Sequence, residues 1–113
     1  MTRPVLNRLL TLEDPVRSPD GAGGFDVTWT TLGALWAGIK PGTGRERAGR
    51  GGATMSRVPV RITVRAAPMG APSRPRPEQR FRDGDRVYHI LAVAEADPGA
   101  RYLICHAEEE TVA

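Results

Sequence analysis

The chain has 113 residues, of which 13 are Gly, 10 are Pro and 5 % are aromatic, and its net charge of +3 is carried almost wholly by Arg, Lys40 being the only lysine. That length suits one domain, residues 1–113, with a single modest core. No run approaches the roughly 18 to 20 apolar residues of a membrane-spanning helix, Met1-Thr2-Arg3-Pro4 leads into no signal-like segment, and a lone Cys105 has no partner for a disulfide or a zinc site. The expectation is a protein kept in the cytoplasm until it is assembled, away from membranes, with a thin core whose stability is completed by neighbouring subunits.

Period-two alternation recurs along the chain, and no amphipathic helix of ten residues does, so the fold class is mainly β. Leu6 to Glu13 reads as a first strand, and Pro15 with Ser18 to Gly24 reads as a turn region, because Pro presets φ and Gly accepts positive φ. Phe25, Val27 and Trp29 share one face of a second strand. Gly33 breaks it, and Leu35 to Ile39 follows either as a bent continuation or as a separate strand. Val58 to Ala66 is the clearest strand, with Val58, Val60, Ile62 and Val64 inward and Arg61, Thr63 and Arg65 outward; Pro59 confines that end to an edge or to the first ladder position. The Pro-rich link 67–77 is expected on the surface. Gln79 to Arg82, an Asp83-Gly84 turn and Asp85 to Ile90 form a hairpin. Val87 to Ala94 is apolar on both faces, as for a strand covered twice, and Tyr102 to about Glu108 is the last strand. A chain this small avoids exposed edges by closing a meander into a small antiparallel β-barrel.

One long Gly/Arg-rich loop interrupts this pattern. Residues 41–57 hold five glycines and four arginines in seventeen positions, and long loops inside compact domains are commonly functional. Arg45, Arg47, Arg50 and Arg57 suit sequence-independent contact with phosphates, since no aromatic accompanies them to read bases. Gly42, Gly44, Gly49, Gly51 and Gly52 would act as hinges. Gly42-Thr43-Gly44 lacks the Lys-Ser/Thr ending of a nucleotide-binding loop. Trp29 and Trp36 read as core rather than as base-stacking platforms. His89 and His106 show no metal-ligand spacing, so no metal, cofactor or catalytic residue is expected and the protein is not read as an enzyme.

Charge is segregated: residues 1–44 are neutral, 45–86 carry +7 and 87–113 carry −4. High-GC coding accounts for an abundance of Arg but not for that order. A basic middle suits a polyanion, and the acidic Glu108, Glu109 and Glu110 suit contact with a tail or a neighbouring subunit.

Leu9-Leu10-Thr11-Leu12, the Asp20 to Gly24 turn leading to Trp29, Leu35-Trp36-Ala37, Gly44-Arg45-Glu46, Ser56, Ile62 to Arg65, Asp83-Gly84 with Tyr88-His89-Ile90 and Val93, and Leu103-Ile104-Cys105 together resemble the head-tail adaptor, or head-closure, family of tailed phages. The Arg- and Ala-rich flavour of Val64 to Pro68 and Leu91 to Ala96 is similar to the versions in alphaproteobacterial phages and gene transfer agents. The resemblance implies a hexameric stopper ring in the virion neck, between a portal or adaptor and a tail terminator. It also implies a long loop, here 41–57, projecting toward packaged double-stranded DNA. The Pro68 to Pro77 segment departs from the pattern. A free-standing small basic barrel that binds nucleic acid without sequence specificity is the alternative.

Overall fold

The computed structural model describes residues 3–42, 47–48 and 55–112, with side chains for 3–42 and 57–111. Among the described residues seven strands form one antiparallel sheet: β1 Arg8–Pro19, β2 Phe25–Pro41, β3 Arg47–Ala48, β4 Met55–Arg65, β5 Arg80–Asp83, β6 Arg86–Glu95 and β7 Tyr102–Val112. Six of them close in a ring of order β2-β1-β5-β6-β7-β4, because β2 pairs with β4 as well as with β1, and β3 is added on β4 beyond the end of β2. The sheet is therefore closed, as the alternation leads one to expect, but it is not a simple meander: β1 pairs with β5, and β4 lies between β2 and β7.

The closed wall has one dry face, and period-two alternation fills it. Leu10 and Leu12, Ala37, Val60, Ile62 and Val64, Phe81, Tyr88 and Ile90, and Leu103, Cys105 and Ala107 form the core, so every strand of the ring contributes. Burial raises the Cys105 thiol from 9.0 to about 12. An unfolded thiol ionises near the lower value while the folded one keeps its proton, so this residue lowers stability as pH rises from about 9 to 12 and has no effect below that window. Native protein at pH 8 is expected to resist a thiol-titrating disulfide reagent that reacts at once after urea is added. Rapid reaction of the native form would mean that Cys105 is accessible.

Several elements differ from the sequence expectation. β1 runs on through Pro15 to Pro19, where residues 13–19 pair with 25–31 to make a two-stranded arm. Its turn is fastened by Asp20, whose carboxylate accepts from Ala22 N (2.8 Å) and Gly24 N (3.0 Å) and is thereby held below the usual carboxylate range. Gly33, at φ 150°, bends β2 without ending it, opposite a register shift between Leu12 and Glu13. Trp36 is not core: Leu35, Ala37 and Ile39 take the inward positions, leaving Trp36 57 % exposed. Nor is Trp29, which sits half-buried on the arm, where no interior exists.

Pro59 lies mid-strand rather than at an edge. Its carbonyl accepts from Gly42 N (3.0 Å), so its nitrogen faces the same side, at the gap in the ladder between β2 and β3 where no donor is required. The β5–β6 turn is centred one residue later than expected, on Gly84-Asp85 between paired Asp83 and Arg86, with positive φ at Gly84 alone. That is the pattern of a turn with Gly first rather than of an Asp-Gly pair. β6 is not covered twice: a bulge between Ile90 and Ala92 turns Leu91 outward. The Pro-rich link is irregular and mostly on the surface, but Pro75 is fully buried, and Gln79 ties the end of the link to Asp14 at 2.9 Å.

Candidate functional site

Alternation that buries one face of each strand sends the other face outward, and there the charged residues meet across strands. Arg57 on β4 is directly opposite Glu110 on β7. Its guanidinium lies 3.2 Å from Glu110 and 3.8 Å from Glu108. His89 Nε2, on β6, is 3.1 Å from Glu110 Oε1 but is not aligned as a hydrogen bond. On β5, Arg80 donates to Glu13 at 2.6 Å, and Arg82 reaches the same oxygen at 3.4 Å. The Arg80 guanidinium lies over the Trp29 ring, 3.9 Å from its centroid, and His89 meets that ring edge-on at 6.5 Å. Arg86 grips Glu109 with two bonds, 2.7 and 3.0 Å long, but this pair is on the inward parity at the end of the wall, since Glu109 is opposite the buried Tyr88. A belt of opposite charges thus runs from β1 around to β4.

The belt gives the segregated charge a first destination. Basic residues of β4 and β6 pair with acids of β7 in the same chain, so part of the +7 middle and the −4 end neutralise each other on folding. Glu108, Glu109 and Glu110 all have intrachain partners, and so does Arg57. Arg47 is in β3 with its backbone opposite Arg57. Gly42 is pinned by its bond to Pro59, and a side chain there would meet the Pro59 carbonyl carbon at 2.8 Å, so close approach explains this glycine. Arg45, Arg50, Gly44, Gly49, Gly51 and Gly52 lie outside the described residues. Among the described residues no cluster of His, Cys, Asp and Glu is placed to hold a metal ion.

Sequence reasoning missed two features. The Glu13–Arg80–Trp29 cluster depends on a pairing between β1 and β5 that no local pattern announces. A second outward row, Lys40 on β2, Arg61 on β4 and His106 on β7, joins residues directly opposite one another. The parity of Arg61 within its strand was legible, but its neighbours were not.

The described residues thus form a small closed antiparallel ring with ion pairs on its outer wall. The sequence profile of the phage head completion proteins matches residues 1–110, and the chain belongs to that family of structural phage head proteins. A chain from the virion of a native gene transfer agent particle has the same fold, with a TM-score of 0.86 and 57 % identity over 98 % of this chain and 100 % of that one. No curated protein matches the sequence. The protein is thus a head completion protein of a phage-type particle and a component of its virion.

Proposed function

We propose that the chain forms a hexameric stopper ring between the portal or adaptor and the tail terminator, and that segment 41–57 meets packaged DNA through phosphates. The observation that carries this reading is the continuation of the β2–β4 pairing past the ring, where β3, inside the Gly- and Arg-rich stretch, pairs with the start of β4. A ring of such copies gathers Arg45, Arg47 and Arg50 around one axis, where they hold DNA of any sequence in a salt-dependent way. Gly44, Gly49, Gly51 and Gly52 let the segment change shape. A cyclic ring needs two different patches that meet, and Glu108 to Glu110 with their arginine partners are candidates for a charged part of that contact or of the tail contact.

The test is DNA retention by filled heads before tails are added. Arg45→Ser, Arg47→Ser and Arg50→Ser together are expected to release DNA while the purified protein melts as before. Arg57→Ser is made separately, since it also strips Glu110 of a partner. Unchanged retention and unchanged salt dependence in the triple variant would remove the gating role, and imaging that found no ring of this protein at the head-tail junction would remove the stopper reading altogether.

A further inference from the structure

We infer that the outer face of β2–β4–β7, at Lys40, Arg61 and His106, together with the amino-terminal Arg3, is a second phosphate-holding surface that takes the backbone of duplex DNA. The inference extends the stopper reading and rests on it only for the identity of the polyanion.

Most arginines of the described surface have an acid in the same chain: Arg8 with Asp83, Arg57 with Glu110, Arg76 with Asp14, Arg80 and Arg82 with Glu13, Arg86 with Glu109, and Arg101 with Asp97. Lys40 and Arg61 have none among the described residues, although they face each other directly across two strands. Like charges in that relation oppose folding. Arg61 also keeps its Nε buried without a hydrogen-bond partner, which costs further stability. A phosphate oxygen set between the two side chains would offset the repulsion between them.

The surroundings suit such a guest. Residues 3–7 cross the outside of β2 at Gly38, whose missing side chain is what lets the Val5 carbonyl lie against it. Between this segment and the sheet is a hollow of about 380 Å³ lined by Arg3, Asn7, Lys40 and Thr63 among others, with no acid in its wall. Asp97 lines the neighbouring hollow with Arg3, but its carboxylate is already engaged by the backbone N–H groups of Gly99, Arg101 and Tyr102. Glu108, next to His106 on the outward face of β7, is held by Arg57.

An acidic protein surface offers carboxylates instead of phosphates. Specific protein interfaces, however, are built around an apolar centre, and of the row's outward neighbours Gly38, Pro59 and Thr63 carry no aromatic or long aliphatic side chain, which leaves the half-buried Ile104, opposite Thr63, as the single aliphatic one among them. Lys40 and Arg61 also lie on the two strands that lead into the 41–57 segment.

Purified full-length protein is titrated with a short duplex of random sequence over a range of salt concentrations. Lys40→Gln with Arg61→Gln is expected to weaken binding and to flatten the slope of log affinity against log salt by about 2, or about 1 for Lys40→Gln alone, at about 0.9 per phosphate contact. The melting temperature of the double variant should hold or rise, because a repulsive pair and an orphaned donor are gone. A fall would show that these residues hold the fold rather than a ligand, and Lys40→Gln, at an exposed position, then decides the binding question alone. Four results overturn the inference: no duplex binding by the unmodified protein at low salt, an unchanged slope in both variants, loss of binding to polyglutamate but not to DNA, or inorganic phosphate binding as tightly as duplex at equal phosphate concentration. Because this assay needs no ring, it separates from head retention. Loss of retention in the loop variants with an unchanged slope here leaves the stopper and removes this surface, and the reverse pair of results does the opposite.

Discussion

Phe81→Ala is expected to cost about 3–5 kcal/mol of unfolding free energy, the range for truncating a large buried aromatic side chain. Phe81 is fully buried, and its backbone lies opposite Leu12 of β1 on one side and Tyr88 of β6 on the other. β5 is four residues long and meets β1 at only three of them. It therefore has few ladder bonds to hold the seam where the β1–β2 hairpin joins the rest of the ring, and packing by Phe81 is what closes it. Domains of this size have about 5–15 kcal/mol in total, so the variant is expected to be partly unfolded at 37 °C and absent from assembled particles. Trp36→Ala, which removes a larger side chain from the outer face, should shift stability by no more than about 0.5 kcal/mol. Urea unfolding with a constant slope measures both. If Trp36→Ala proved the more damaging of the two, the assignment of inside and outside on β2 would be reversed.

That contrast shows which parts of the fold were legible in the sequence. Val58 to Val64 could be read because a closed wall has one dry face and alternation records which residues meet it. Trp36 could not be placed by size, since its neighbours Leu35 and Ala37 hold the same parity as the core and only parity decides direction. The β6 bulge at Leu91 is invisible to any periodic template, because one inserted residue changes phase without changing composition. Pro15 and Pro59 misled for a common reason. A missing N–H forbids a ladder bond only where one is demanded, and β4 has a gap in its ladder at Pro59.

The charged site follows the same logic. The basic middle and acidic end of the chain were plain in the sequence, and they suggested contacts with other molecules. Arg57 and Glu110 are 53 positions apart, however, and only the β4–β7 register reveals that they are partners. Surplus charge is better recognised after such pairs are removed. What remains on the described surface is Arg3, Arg17, Arg65 and Arg74 with the Lys40–Arg61 row, and the row stands out because it sets two cations directly opposite each other.

Glu13→Ala should have the second large effect, about 3 kcal/mol, near the lower end of the range for stripping a buried charge of its partner. The Glu13 side chain is 10 % exposed and Arg80 is 12 % exposed, with 2.6 Å between them. Arg82 is 43 % exposed, so its own longer contact with Glu13 is screened by water and contributes little. Removing the carboxylate leaves the Arg80 guanidinium against Trp29 with no counter-ion and with little water to replace it. Arg57→Ala, by comparison, removes a side chain that is 47 % exposed, and about 1 kcal/mol is its upper limit. The location of the pair predicts more than a number. Glu13 is opposite Thr31, where the two-stranded arm leaves the ring, and Arg80 is its clamp to β5. Losing the clamp should loosen the arm before the ring, so amide exchange at Thr28 and Thr30 should quicken while Ile62 and Cys105 stay protected. A double-mutant cycle of Glu13→Ala with Arg80→Ala isolates the pair and should give a coupling above about 1 kcal/mol. Coupling near zero, or a Glu13→Ala cost no greater than that of Arg57→Ala, would mean that the cluster is solvated and that the arm is held by its backbone pairing alone.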